Sequence, residues 1–500
     1  MDSSNELQGA FPQALIETQG YSLLLQLADF LKEQDVRAYL VGGFVRDVLL
    51  GRDTADIDVA VAADVFKIGP RIAASLQGKF VLLDEVDKIG RIILKDWTID
   101  VASFTGKIEN DLARRDFTID AMAVDLYQLA GASRDAGLID PYHGRLDLDR
   151  GIIKMVTDNV FKNDPIRLLR AMRFASELGF IIAKRTEAEI ARSIRLVASV
   201  PGERVREELL RLLDSSRSGQ VFNDMEKIGL LTALIPELSP LKGAAQPQEH
   251  HWDVFEHSIN TVSAVDFILH QGIWEHRDAD VLSIVPWSSS LAHYFDQPVS
   301  SGSTRRSLLK LAALLHDIAK PQTKAFDENG RMRFLGHPED GSIIVQSILE
   351  RLRFSTKEIK MVSLMVKYHL RPTQMGRDAM PTGRAIYRYF RDVGDVGIDT
   401  LFLSLADHLA TRGPGLLHNQ WEYHNKLVAY VLKEHSQQKK TASPVKLVDG
   451  NDLINVFGMK PSAKIGELLE EIHEAQAAGE LTTREETLDY IRHSLSKEQK

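Results

Sequence analysis

A glycine pair lies between a short apolar run and a second run carrying two acids, and this order constrains the chain more than any other feature. Ala38-Tyr39-Leu40-Val41 reads as a strand ending at Gly42-Gly43, and Phe44 to Leu50 reads as a helix closed by Gly51. Asp56 to Val61 reads as the next strand. Its side chains alternate, so Asp56 and Asp58 share one side. Strand, glycine pair and helix start together form a phosphate seat. Glycine lets the backbone approach an anion, and the helix N-terminus supplies N–H groups and a positive dipole end. Two carboxylates beside a phosphate suit Mg2+, a hard ion that takes oxygen ligands. Two such ions about 4 Å apart activate an attacking hydroxyl and stabilise a leaving oxygen. Asp100, in Trp97-Thr98-Ile99-Asp100-Val101, is the expected third carboxylate.

The surrounding pattern is mixed at first and then helical. Tyr21 to Gln34 has helical spacing, while Phe80 to Leu83, Arg91 to Leu94 and Trp97 to Phe104 read as strands. This α+β front part ends near Asp149. Helices follow over Pro165 to Leu178, Thr186 to Ala198 and Gly202 to Leu213. The first is expected to be capped by Asn163 or Asp164, with Pro165 near its first position. His250 to about Thr411 reads as helical and rich in histidine, broken by a long loop over Trp287 to Thr304. After a linker at Gln437 to Lys440, Gly450 to Leu495 holds two or three amphipathic helices. The expected domains are therefore a head (20–150), a helical neck (151–240), a histidine-rich domain (245–425) and a helical tail (445–500).

Composition removes several chemistries. Among 500 residues there is no cysteine, so disulfides, thiol catalysis and cysteine zinc sites are excluded. Any metal must rest on His, Asp or Glu, and a reducing cytoplasm is the expected location. Met1 to Gly20 lacks the basic patch and apolar core of a signal peptide. No apolar run approaches ~18 residues, so no membrane partner is expected. A net charge of −9 argues against coating nucleic acid by bulk attraction, but leaves local basic tracks available. Nothing in the sequence sets an oligomeric state.

The ordered motifs between Leu40 and Phe174 resemble the class II tRNA nucleotidyltransferase and bacterial poly(A) polymerase family, within the DNA polymerase beta superfamily. Leu40-Val41-Gly42-Gly43-Phe44-Val45-Arg46-Asp47 with Asp56-Ile57-Asp58 resembles its head. Arg114-Arg115-Asp116-Phe117-Thr118-Ile119-Asp120-Ala121 is similar to its second motif, and Asp140-Pro141-Tyr142-His143-Gly144 to its third. Asn163-Asp164-Pro165-Ile166-Arg167, continuing through Arg170 to Arg173-Phe174, is similar to its fourth. The resemblance implies a nucleotidyltransferase head followed by all-α neck, HD and tail domains. It implies Mg2+ on Asp56 and Asp58, with Asp100 as a further catalytic carboxylate. It also implies nucleotide binding by Gly42, Gly43, Arg46, Arg115, Asp116, Asp164, Arg167, Arg170 and Arg173. Arg114 and Arg115 offer guanidinium forks to triphosphate oxygens, and Asp116 an acceptor to a ribose hydroxyl. In the family the Asp164–Arg167 pair selects incoming CTP or ATP in place of a template; read bare, it is an i,i+3 helix ion pair.

Three departures bear on the product. The fourth motif begins Asn163-Asp164 where the family usually has Glu-Asp, and the second carries Asp120 where Asn is usual. Nine residues separate Phe104 from Arg114, where many relatives carry a longer loop linked with switching from C to A addition. CCA addition to the 3′ end of tRNA is the expected activity. CC, A or poly(A) addition to this or another RNA end stays open.

A second constellation lies in the histidine-rich part: His257, His316-Asp317, His337, His369 and Asp407. Imidazole and carboxylate together suit divalent metals. A His-Asp pair after an apolar run is expensive to bury without a partner, and a metal supplies one. The set resembles the HD phosphohydrolase superfamily, which implies Mg, Mn or Ni at these six residues. His250, His251, His408 and His418 read as bystanders. A different class of function, a phosphohydrolase whose front domain only binds nucleotide, would be favoured by loss of Asp56 or Asp58; both are present.

Overall fold

The computed structural model describes residues 20–129, 137–270, 272–274, 279–376, 379–441 and 447–498. The signal-peptide question at Met1 to Gly20 therefore falls almost wholly outside the described residues. Contacts divide the chain into two compact units, Met1–Val200 and Pro201–Lys500.

The first unit is built on one seven-stranded sheet. Its strands are β1 (Ala38–Val41), β2 (Asp56–Val61), β3 (Lys79–Asp84), β4 (Ile89–Ile93), β5 (Thr98–Ser103), β6 (Ala123–Asp125) and β7 (Leu138–Ile139), in the order β3-β4-β5-β2-β1-β6-β7. Only β2 and β5 run parallel; the other neighbours are antiparallel. Alternation fixes the faces. Ile57, Val59, Ile99 and Val101 are buried, which stabilises the sheet by about 1.5–3 kcal/mol per side chain. Asp58 and Asp100 alternate with them and stay partly open. The register sets Asp58 opposite Asp100, and Asp100 opposite Arg91 on β4.

The helix after the glycine pair, α1 (Gly42–Leu49), starts two residues earlier than expected. Gly42 takes φ +67°, and a Cβ there would run into Arg115 Nη1, so only glycine fits this turn. A further helix, Val65–Ser75, has no counterpart in the sequence reading; Pro70 lies inside it, and the Asp64 side chain caps it through Phe66 N. The fourth motif needs a correction. Helix α2 is Arg167–Leu178, with Ile166 at its N-cap. Asp164 lies outside it in extended backbone, so neither Asn163 nor Asp164 caps the helix. Thr186 to Ala198 is helix Lys184–Ser193 followed by a 3-10 turn over Ile194–Ser199.

The second unit is helical around α3 (Val254–Ile268), α4 (Arg305–Leu315), α5 (His337–Arg351), α6 (Thr356–Tyr368) and α7 (Gly397–Arg412). Helix α4 packs against α3, α6 and α7, and it is buried on every side from Ser307 to Leu315. The expected loop at Trp287 to Thr304 is instead a helix, Ser289–Asp296, and a two-strand ribbon of Pro298–Ser300 with Ser303–Thr304. The serines that suggested a loop include its N-cap: Ser288 Oγ accepts from Leu291 N. Tyr294 and Arg305 both donate to buried Asp399, at 2.6 and 2.8 Å, which ties this segment to α7. The expected linker at Gln437 to Lys440 is helical, within His418–Thr441. The tail holds three helices, Gly450–Phe457, Ala463–Ala477 and Arg484–Glu498, around a small core of its own.

Candidate active site and metal centre

In the head, the chain reversal at Gly42-Gly43 brings backbone N–H groups over β2. Gly43 N donates to Asp58 Oδ2 at 3.1 Å. Burial pushes the Asp58 carboxyl up to about 6; Arg115 opposes the rise and Asp100 adds to it. A half-buried carboxylate held near other carboxylates is what a divalent cation would relieve. Asp100 is gripped by Arg91, with Nε to Oδ1 at 2.7 Å and Nη2 to Oδ2 at 2.8 Å. Asp56, at the start of β2, is exposed. The three carboxylates thus share one open face, and the donor set is all oxygen.

The expected nucleotide-binding residues sort into two groups. Arg115 lies beside Gly42 and reaches Asp120 O and Asp111, each at 3.4 Å. Arg167 donates to Arg114 O at 2.8 Å and lies 3.7 Å from Asp164, so the pair forms although Asp164 is not in the helix. These border the open side. Arg46, Arg170 and Arg173 instead surround the Phe174 ring at 5.1, 5.2 and 4.3 Å. Arg46 is buried between Asp47 and Asp120, at 2.9 and 2.8 Å. Arg170 Nε meets Asp116 at 2.6 Å, and Arg173 meets Glu177 at 2.7 Å. Burial opposes ionisation of Asp116, but Arg170, Arg167 and the Phe117 N–H together hold the carboxyl below its ordinary value. Asp120, also buried, stays raised despite Arg46. Asp120 therefore serves as the buried acceptor for Arg46. The sequence reading missed Arg91; its alternation with buried Ile92 on a strand flanking Asp100 was the available signal.

The structure brings the six residues of the second constellation together from five helices, two of them from one helix end. His257 comes from α3, His316-Asp317 from the end of α4, His337 from the first residue of α5, His369 from the end of α6, and Asp407 from α7. Asp317 sits between two groups. Its Oδ2 faces His257 and His316 Nε2 at 3.4 and 3.2 Å, and its Oδ1 faces His337 and His369 Nε2 at 3.4 and 3.8 Å. Asp407 Oδ1 joins the first group, 3.1 Å from His257 Nε2. His316, His337 and His369 each direct Nδ1 at a backbone carbonyl three residues back, at 2.8, 2.6 and 2.7 Å. That assigns the proton to Nδ1 and leaves Nε2 as a lone pair aimed inward, the arrangement of a metal-ligating imidazole. Burial drives the His369 imidazole down to about 3. The residues fit a divalent metal in each triad, His257–His316–Asp317 and Asp317–His337–His369. Lys320, one turn after Asp317, meets its Oδ2 at 2.6 Å and was not assigned from sequence. An opening of about 290 Å3 leads to this centre past Lys320, Arg333 and Phe334. The bystander histidines split: His250 packs edge-on to His257, and His408 stacks on His424.

A glycine turn over paired carboxylates on this sheet defines a nucleotidyltransferase head, and the helices after it along the chain gather a His–Asp cluster of the HD type. Comparison with known proteins agrees. The Poly A polymerase head domain matches residues 38–104 and 95–154, and the HD domain matches 287–412. The model described as "Probable RNA and SrmB- binding site of polymerase A" matches 179–242, and tRNA nucleotidyltransferase domain 2 matches 419–491. A CC-adding tRNA nucleotidyltransferase of Thermus thermophilus is 32% identical, over 91% of this chain and 93% of its own. An A-adding tRNA nucleotidyltransferase of Deinococcus radiodurans is 31% identical, over 91% and 94%. The chain belongs to the tRNA nucleotidyltransferase family and is a nucleotidyltransferase that depends on divalent metal. Solved structures share the fold: a Thermotoga maritima CCA-adding enzyme complexed with tRNA aligns at TM-score 0.61 over 97% of this chain and 98% of that one, with 23% identity. A CCA-adding enzyme complexed with CTP aligns at TM-score 0.64 over 97% and 98%, with 22% identity. Among the described residues, no helix is long and apolar enough to cross a membrane.

Proposed function

We propose that this chain adds C and A residues from CTP and ATP to the 3′ end of tRNA. The observation that carries the reading is the Asp58–Asp100 pairing across β2 and β5 beneath the Gly42-Gly43 turn. The terminal ribose hydroxyl attacks the α-phosphate, the bond to the β-phosphate breaks, and pyrophosphate leaves. Asp56 and Asp58 hold Mg2+, with Asp100 as the third carboxylate. The bound metal supplies charge for the attacking and leaving oxygens. Gly42 and Gly43 let the triphosphate approach the backbone, and Arg115 offers it a guanidinium. Arg167 and Asp164 present donors and acceptors to the incoming base. Arg46, Arg170, Arg173 and Asp116 hold this surface from behind through their ion pairs, and they meet the nucleotide only at its edge. The absence of cysteine suits a cytoplasmic setting.

Addition of CC alone or A alone is the second reading. It is favoured by the short interval after Phe104, which holds the helix Ile108–Leu112 rather than a long free loop. Purified protein incubated with tRNA ending before CCA, or after CC, plus labelled CTP or ATP, tests both readings by sequencing of the products. No extension of either RNA would overturn the transferase assignment for tRNA. In the helical unit, His257, His316, Asp317, His337, His369 and Asp407 would hold a divalent metal such as Mg, Mn or Ni, which would supply Lewis-acid charge for phosphoester hydrolysis.

A further inference from the structure

The helical unit contains a second cavity, of about 550 Å3, that none of the metal-site residues lines. This volume lies within the ~300–1,000 Å3 of small-ligand sites. Its walls are helix Ser218–Lys227 and α3. Its floor is fixed: Asp266 accepts from Gly219 N at 3.5 Å and pairs with buried Lys310 at 2.6 Å. Lys310 in turn donates to Leu213 O and Ser215 O, each at 2.8 Å. The pocket is therefore preformed by groups that face each other below it.

Two kinds of side chain line it. Trp252, Phe255 and Trp274 give flat aromatic surface, and Gln220, Asn223 and Asn260 give carboxamides. Two of these amides are already oriented. Asn260 Nδ2 donates to Glu256 O at 2.9 Å, and Gln220 Nε2 donates to Asp224 at 3.0 and 3.1 Å. Gln220 Nε2 is engaged with both Asp224 oxygens and Asn260 Nδ2 commits one N–H to Glu256 O, which fixes both carboxamides and keeps Oε1 and Oδ1 as acceptors. Fixed acceptors beside aromatic rings suit a planar ligand with an exocyclic amine. Arg217, exposed at the start of the same helix, adds a cation on the lining.

We propose that this cavity binds an amino-bearing nucleobase, adenine or cytosine, stacked on the aromatic surface with its amine on the Gln220 and Asn260 oxygens and its phosphate toward Arg217. The base comes either from a free nucleotide or from an unpaired residue of bound RNA. The site is separate from the head, so it is a further nucleobase site and not the one that selects the substrate.

The full-length protein, with EDTA to suppress metal-dependent binding at the head, is titrated with AMP, CMP and IMP by calorimetry, and separately with tRNA ending before CCA. The same titrations use Gln220→Leu and Arg217→Ala, both at exposed positions, and Asn260→Leu. The expected result is AMP binding at least tenfold tighter than IMP, which carries a carbonyl in place of the amine, with that preference lost in Gln220→Leu and Asn260→Leu. A fall of fivefold or more in tRNA affinity in the variants identifies RNA as the source; a loss confined to AMP and CMP identifies free nucleotide. Equal binding of AMP and IMP, or variants that leave both ligands unchanged, overturns the proposal. Nucleotide incorporation at saturating tRNA, measured on the same samples, is expected to be unchanged and reports the head independently.

Discussion

The two candidate centres gather ligand side chains suited to divalent metal in opposite ways. In the head, the acidic side chains stand on adjacent strands of one sheet, are all oxygen donors and remain partly open. In the helical unit, the donors arrive from five helices, mix imidazole with carboxylate and are buried except for Asp407. The first arrangement leaves room for a triphosphate to complete the coordination, as a hard ion with few protein ligands requires. The second nearly encloses its candidate site, and backbone carbonyls preset three of its four imidazoles, those of His316, His337 and His369, a donor set that suits transition metals better than magnesium. The difference teaches that an open carboxylate pair leaves coordination positions for a substrate to fill, whereas a buried imidazole–carboxylate cluster supplies most of them itself.

The largest expected effect separates the two centres. Asp58→Ala should lower nucleotide incorporation by about 1,000-fold or more, since it removes a ligand of both the metal and the turn. Metal content of the helical unit, read by elemental analysis, should not change. Normal incorporation by this variant would remove the head carboxylates from the chemistry.

The converse variant is Asp317→Ala. Because each of its oxygens faces a different triad, one substitution should empty both. Bound manganese or nickel and any hydrolysis of bis(p-nitrophenyl) phosphate should vanish, while incorporation stays within about threefold. If incorporation fell with the metal in a protein that remained folded, the centres would be coupled and the contrast drawn above would fail.

A smaller effect concerns selection. Arg167→Ala removes the guanidinium beside Asp164 and should weaken preference for CTP over UTP by about tenfold to a hundredfold, equivalent to ~1.4–2.8 kcal/mol. Comparing kcat/KM for the two nucleotides reads this directly; an unchanged ratio would return Asp164 and Arg167 to a plain ion pair.

The smallest effect is on stability. Burial lifts the Asp58 carboxyl from 3.8 to about 6. A raised acid favours the folded state in full below its unfolded value, and that contribution is lost as pH rises through the folded value. At pH 8 without metal, Asp58 therefore opposes folding, by an amount on the order of 3 kcal/mol. Asp58→Asn in EDTA should raise the melting temperature by a few degrees at pH 8 and by nothing at pH 4. Added Mg2+ should narrow the gap by stabilising the parent protein. A gain that did not depend on pH would assign the effect to packing.

Much of the head was legible because its signals are local. The alternation of Asp56, Ile57, Asp58 and Val59 sets which side chains point inward whatever lies beyond the strand. The Gly42 turn is equally local, since its positive φ excludes other residues. Where local signals conflicted, the reading failed. Serines at 288–290 suggested a loop but supplied a helix cap, and Pro70 discouraged a helix that burial of Ile68 and Ile72 nevertheless secures.

The sequence by itself determined the strand–glycine–helix head, its acidic positions and which histidines and aspartates form the helical cluster, because residue type and short spacing carry that information. Only the tertiary structure decided that Arg91 pairs with Asp100, that Asp120 anchors Arg46 from 74 residues away, and that Asp317 faces two histidine groups at once. Those relations depend on strand order and on the packing of α4 against its neighbours. No spacing along the chain encodes which distant side chains such packing brings within a hydrogen bond's reach.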